Sequence, residues 1–168
     1  MHKNKTLTNS LGAFIGKAGK VLEKRLAENF AKAGYDLTLE HWIVLVHLWL
    51  EDGRNQKTLC EFAGRHKTSI TRTLDSLEKY DFVVRIVDKN DRRNKLIYLT
   101  NKGKTAREPL SKQLENTMAE ATEGVSAEKL NICKEVLGQV FFNLADEEHL
   151  RHFAEAEMVS NRTNFNKN

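Results

Sequence analysis

The chain has 168 residues, 40% of them hydrophobic and 30% charged, which is enough apolar material for a compact core and too much for a disordered chain. Its formal net charge is +4, but Glu51 to Lys104 carries 13 Lys and Arg against 8 Asp and Glu while the remainder sums to −1, so a polyanionic partner would meet the middle third. No apolar run reaches the roughly 20 residues of a membrane span, and Met1 to Thr6 lacks the apolar stretch of a signal peptide, so a cytoplasmic protein without membrane association is expected.

Along the chain, Leu11, Phe14, Ile15, Ala18, Leu22, Leu26 and Phe30 recur at three and four, the pattern of one long amphipathic helix that Gly34 stops. Thr38, Glu40 and His41 open a second helix, expected to be almost wholly buried, with Trp42, Leu45, Val46 and Trp49 as its inner stripe and Gly53 at its end. Asn55 or its neighbour caps a short third helix with Leu59, Phe62 and Ala63 inward, and Gly64 with His66 supplies the next turn.

In the fourth helix, Lys67 to Lys79, Ile70, Leu74 and Leu77 face the core, while Thr68, Ser69, Arg72, Asp75 and Ser76 face away. Small hydroxyls let a helix approach base edges closely, and an arginine spans to a phosphate or to guanine O6 and N7. Two β-prone runs follow, Val83 to Val87 and Leu96 to Leu99, separated by the eight-residue loop Asp88 to Lys95 with its four cations. A two-residue turn would close such a hairpin, so a longer loop with Arg92 and Arg93 at its tip is kept for what it touches. Helix, helix, strand, loop, strand is the order of a winged helix-turn-helix that grips DNA.

Beyond Thr100, Lys102 to Glu123 is helical in composition, with Pro109 in the first turn or two or at a bend. Ser126, with Lys129 three positions on, opens a last helix whose apolar side is Leu130, Cys133, Leu137, Val140, Phe141 and Leu144. From Glu155 the chain turns polar and Asn-rich and is expected to fray. The fold class is therefore mainly α with a small antiparallel β-hairpin, and no internal repeat is present.

The wing segment stands as Asp88-Lys-Asn-Asp91-Arg92-Arg93-Asn-Lys-Leu-Ile-Tyr-Leu99-Thr100, followed by Asn-Lys-Gly103, and the helix before it as Lys67-Thr-Ser-Ile-Thr-Arg72-Thr-Leu-Asp75-Ser-Leu77-Glu-Lys79. In these motifs, and over about residues 7 to 145, the sequence resembles the MarR family of bacterial transcriptional regulators. It departs from the family at Asp81, where a glycine usually follows the helix through a left-handed turn. The resemblance implies a single domain over residues 1–168, with dimerisation helices at about 7–33 and 101–145, a winged helix-turn-helix at about 38–100, and a frayed tail at 155–168. It also implies a homodimer that represses transcription from a pseudo-palindromic operator in double-stranded DNA, its two recognition helices about one DNA turn apart.

Carried onto residues, the resemblance sends Arg93 into the minor groove with Asp91 orienting it and Arg92 beside it. Lys67, Thr68, Ser69, Thr71 and Arg72 are the candidates for major-groove or phosphate contact, and Asn55, Gln56 and Lys57 for phosphates at a helix start. The bland alternatives are a solvated hairpin tip for the wing and ordinary helix-start chemistry for the hydroxyls. Asp75 would repel phosphate unless paired, and Arg85 is either structural or a phosphate clamp.

Family members commonly release DNA when a small aromatic or phenolic anion fills a pocket, for which Lys17, His41, Trp42 and Trp49 are the candidates here, although both tryptophans also suit a core. Cys60 and Cys133 lack CxxC spacing and read as reduced, buried thiols; a thiol sensor using them is one alternative, and a metal sensor through His149 and His152, with Glu148 and Glu155 near, is another. A third is a protein-binding adaptor with a degenerate winged domain. With no nucleophile elbow, phosphate-binding loop or dinucleotide fingerprint, neither an enzyme nor a cofactor is expected.

Overall fold

The first helix, α1 (Leu11–Lys32), starts where the Ser10 hydroxyl accepts the Ala13 backbone N–H at 3.3 Å, so the capping residue lies just outside the apolar repeat. It ends as Gly34 takes φ +89° and the Tyr35 N–H reaches the Phe30 carbonyl at 2.9 Å, a left-handed exit that glycine adopts without a Cβ clash. The computed structural model describes residues 10–63, 67–147, 149–150 and 154, without the side chains of Phe62, Ala63 and Lys67. The expected inward packing of Phe62 and Ala63, the turn at Gly64 and His66, and the fraying tail from Glu155 lie outside the described residues.

Next come α2 (Leu39–Leu50), the short strand β1 (Arg54–Asn55), α3 (Gln56–Ala63), α4 (Lys67–Lys79), β2 (Val83–Val87), β3 (Lys95–Leu99), α5 (Asn101–Thr105), α6 (Arg107–Ala121) and α7 (Ala127–Leu144). The chain divides into two compact units, one holding α1, the first residue of α2 and all but the first residue of α6, the other holding the rest of α2, the three strands, α3 to α5 and α7. In the first unit, Leu26, Phe30, Leu37 and Leu110 are buried, and the buried Asn29 amide donates to Thr117 Oγ1 at 3.0 Å, so its burial leaves no orphaned donor on that side. Only the C-terminal part of the α1 stripe is covered; Leu11, Phe14 and Ile15 are exposed.

In the second unit, the stripe of α2 differs from the expected one. Val44, Leu45, His47 and Leu48 are its buried residues, while Trp42, Val46 and Trp49 are half-buried, so the helix is not almost wholly buried. Indole size and polarity explain the shift: Trp49 keeps its ring at the margin, where Nε1 donates to the Gly103 carbonyl at 2.8 Å. Trp42 meets Trp49 edge-on with ring centroids 5.3 Å apart.

The hairpin is part of a three-stranded antiparallel sheet in the order β1-β3-β2, with Val83 opposite Leu99 and Val87 opposite Lys95. Its third strand was not expected, because Arg54-Asn55 has neither length nor β-branched residues; it pairs Arg54 with Ile97 and Asn55 with Leu96. The helical stretch after Thr100 breaks at Ala106, between α5 and α6. Proline's ring clashes with the carbonyl four residues back, here that of Thr105, so the break falls where Pro109 requires it and leaves Pro109 in the first turn of α6.

Ser126 caps α7 by accepting from the Lys129 N–H at 3.3 Å. No residue of α7 is buried, and Leu144 is 82% exposed. Cys133 is accordingly exposed and Cys60 only partly covered, both as free thiols, which corrects the expectation of two buried ones. Among the described residues no helix is long and apolar enough to cross a membrane.

Candidate nucleic-acid interface

Asn55 opens α3: its Oδ1 accepts the Thr58 backbone N–H at 2.8 Å and the Thr58 hydroxyl at 3.1 Å, the bonds of an N-cap. Gln56 reaches across to α4, where its amide donates to Thr71 Oγ1 at 2.6 Å. Asn55 therefore spends its side-chain oxygen on starting α3, and Gln56 spends its amide on setting α3 against α4. Lys57 is exposed and lies 3.8 Å from Glu61, one turn on, a pair too open to hold the ammonium firmly.

On α4, Ile70, Leu74 and Leu77 are buried as their spacing requires. Thr73 joins them, its hydroxyl returning to the Ser69 carbonyl at 3.1 Å so that a polar residue fits the inner face. Thr68 and Arg72 stand exposed on the outer face, with Ser69 and Thr71 half-buried at its edges, and the Lys67 side chain lies outside the described residues.

The exit from α4 runs through Asp81 at φ +62°, the left-handed conformation in which the family favours glycine. The neighbouring carbonyls are bonded from beyond the sheet: Thr100 Oγ1 donates to the Asp81 carbonyl at 2.6 Å and Lys102 Nζ to that of Tyr80 at 2.8 Å. Lys102 also lies 4.6 Å above the Phe82 ring, and a Cβ at Gly103 would sit 2.1 Å from the Phe82 carbonyl oxygen. Thr100 and Lys102 thus form a clasp on the end of α4, with Gly103 packed close behind it.

In the wing, Asp91 Oδ1 accepts the Arg93 backbone N–H at 3.0 Å and its Nε at 3.4 Å, while Oδ2 accepts from the Asn94 amide at 3.0 Å. The Asp88 N–H meets the Asn94 carbonyl at 3.0 Å, closing the loop. One carboxylate thereby fixes the tip, and the Arg93 side chain, 92% exposed, projects from it with the exposed Arg92 beside it.

The surroundings of Arg85 favour the structural role over the phosphate clamp. Arg85 lies on the inward side of β2 with Val83, 14% exposed, with Nη2 at 2.7 Å from Asp75 Oδ1 and Nη1 bonded to Glu78 Oε2. The detectable signal was a charged residue at an inward strand position, which requires a counter-charge.

Residues 37–95, from the chain before α2 to the start of β3, match the model of the MarR family. Over this segment the chain matches the MarR family. A MarR-family transcriptional regulator from Rhodococcus sp. RHA1 is 25% identical, with 85% of this chain and 100% of that one covered and a TM-score of 0.67. CouR from Rhodococcus jostii RHA1, solved bound to p-coumaroyl-CoA, is 23% identical over 86% of this chain and 100% of its own, again at 0.67. A probable transcriptional regulator from Pseudomonas aeruginosa reaches 0.72 at 21% identity, covering 80% and 99%.

The effector candidates are divided between the units: Lys17 is exposed on α1, whereas His41, Trp42 and Trp49 are partly covered on α2. For the metal alternative, His149 Nδ1 lies 2.6 Å from Asp146 Oδ1, and His152, Glu148 and Glu155 are outside the described residues. Among the described residues no three His, Cys, Asp or Glu side chains gather where they could hold a metal ion.

Proposed function

We propose that the protein is a DNA-binding transcriptional repressor that acts as a homodimer on a pseudo-palindromic operator and answers to a small aromatic or phenolic ligand. The observation that carries the DNA reading is the Asp91-held Arg93, fully projected at a wing that follows a helix with Thr68 and Arg72 on its outer face. Such an arrangement suits a guanidinium entering a narrow minor groove while the helix lies in the adjacent major groove. Holding the arginine in advance lowers the entropy it would lose on insertion.

Two helices support the homodimer. Phe14, Ile15 and Val21 of α1, and Ile132, Val136, Leu137 and Phe142 of α7, are all exposed large hydrophobics, a density that a second copy would cover. The aromatic ligand is supported by the likeness to CouR, which was solved with an aromatic acyl thioester, and by the paired indoles of α2. Its action would lie in binding one dimer shape more tightly than the other.

Footprinting on the DNA that flanks its own gene, followed by titration at several salt concentrations, tests the proposal. Protection of a two-fold-related site, with affinity falling steeply as salt rises, is the expected result. Absence of any salt-dependent DNA binding would remove it.

A further inference from the structure

Asp75 presents a problem for a helix that must approach phosphates. It stands one turn beyond Arg72 on the outer side of α4, its side chain 60% exposed, and Glu78 follows at the next turn, 40% exposed. Residues three apart share a helix face, so two carboxylates occupy the stripe that Arg72 begins. Unmasked, they would repel the same backbone that the helix is built to meet.

Arg85 answers both. Its guanidinium sends one nitrogen to Asp75 at 2.7 Å and another to Glu78, and its backbone N–H donates to Glu78 Oε1 at 3.3 Å. That last bond also occupies a backbone donor of β2, which lies at the edge of the sheet. The planar fork of arginine can hold two acceptors at fixed angles, which the single ammonium of lysine cannot do with equal geometry. At 14% exposed, Arg85 is a recessed bridge and is not presented as a phosphate clamp.

We propose that Arg85 is a positioning residue for DNA binding, which masks the Asp75 and Glu78 carboxylates on α4 and ties the wing to that helix. This rests on the DNA-binding reading above. It assigns to one side chain the joint setting of the two elements that would enter adjacent grooves, and it explains how α4 carries acids on its outer side.

The test uses the full chain and a labelled duplex of about 30 base pairs, long enough for two half-sites, selected from a randomised pool by the wild-type protein. Affinity is measured for Arg85→Ala, for the triple variant Arg85→Ala/Asp75→Asn/Glu78→Gln and for Arg93→Ala, with thermal unfolding recorded for each. Arg85→Ala is expected to bind about tenfold more weakly at low salt, the gap narrowing as salt screens the exposed carboxylates. The triple variant should return to within about threefold of the wild type or bind better, since the repelling charges are gone. Wild-type affinity in Arg85→Ala, or a triple variant no better than it, overturns the assignment. If Arg85→Ala is unfolded at the assay temperature, Arg85→Gln, which keeps a donor for one carboxylate, takes its place with the same criteria. Loss of binding in Arg93→Ala alone defeats only the role of Arg85, whereas no salt-dependent binding in any protein, wild type included, defeats the DNA reading itself.

Discussion

In α4 the apolar positions Ile70, Leu74 and Leu77 are closed off from solvent, whereas in α7 the stripe containing Leu137, Phe141 and Leu144 includes no buried residue. Both helices are amphipathic by spacing. The difference teaches that periodicity identifies the face that needs covering, while the identity of the cover depends on what the rest of the chain can supply. For α4 it is supplied within the chain, by a unit that also buries Leu59, Phe82, Val83 and Ile97. For α7 the second copy proposed above is the natural cover.

The contrast breaks most visibly at Leu74, which has no exposed surface at all. Leu74→Ala should destabilise the chain by about 2 to 5 kcal/mol, the transfer loss plus the cavity left behind, seen as a lower urea midpoint. A cost under about 1 kcal/mol would mean that the site collapses or was never tightly packed.

Leu137, 40% exposed in the single chain, should behave in the opposite way. Leu137→Glu should leave secondary structure intact but weaken self-association by about 2 to 3 kcal/mol, because a leucine that a partner would bury is replaced by a charge. Analytical ultracentrifugation across a concentration series distinguishes the two helices: an unchanged sedimentation profile would show that α7 does not meet a second copy through this face.

Arg93→Ala addresses neither core. Its side chain touches only Asp91 among the hydrogen bonds and ion pairs of the described residues, so unfolding should be unaffected while duplex affinity falls by about 1 to 3 kcal/mol. A shifted unfolding midpoint with unchanged affinity would reverse the assignment of the wing tip from DNA contact to structural turn.

These regions also mark how far the sequence could be read. The helix α4 was legible because Ile70, Leu74 and Leu77 state a face by spacing, and the wing because Asp91-Arg92-Arg93 sits between two β-prone runs. The strand β1 was not, since two polar residues pair through backbone atoms that every sequence shares. Nor was the inward turn of Thr73, whose hydroxyl is satisfied by its own helix, or the Gln56 to Thr71 bond, which joins residues fifteen apart only after α3 and α4 have docked. For α2, alternating bulky residues made two stripes equally apolar, and the choice between Trp49 and Leu48 for the interior was settled by an indole N–H that required the Gly103 carbonyl. Long-range polar contacts of this kind are fixed by tertiary placement, which local pattern does not encode.

Asp81 offers the smallest and most discriminating change. It occupies φ +62° at the exit of α4, where a side chain is crowded against its own carbonyl and glycine is not. Asp81→Gly removes that strain but also enlarges the freedom of the unfolded chain, so the two effects oppose each other. Aspartate tolerates this conformation better than most residues, and the net gain should be about 0.5 kcal/mol, read as a slightly higher urea midpoint with DNA affinity unchanged. Asp81→Val should move the other way and by more, because a β-branched side chain suits a left-handed backbone least. Were Asp81→Gly instead to lose stability, the clasp formed by Thr100 and Lys102 on the adjacent carbonyls would already hold the turn rigidly enough for the added unfolded-state entropy to dominate, and the family's preferred glycine would be a liability in this chain.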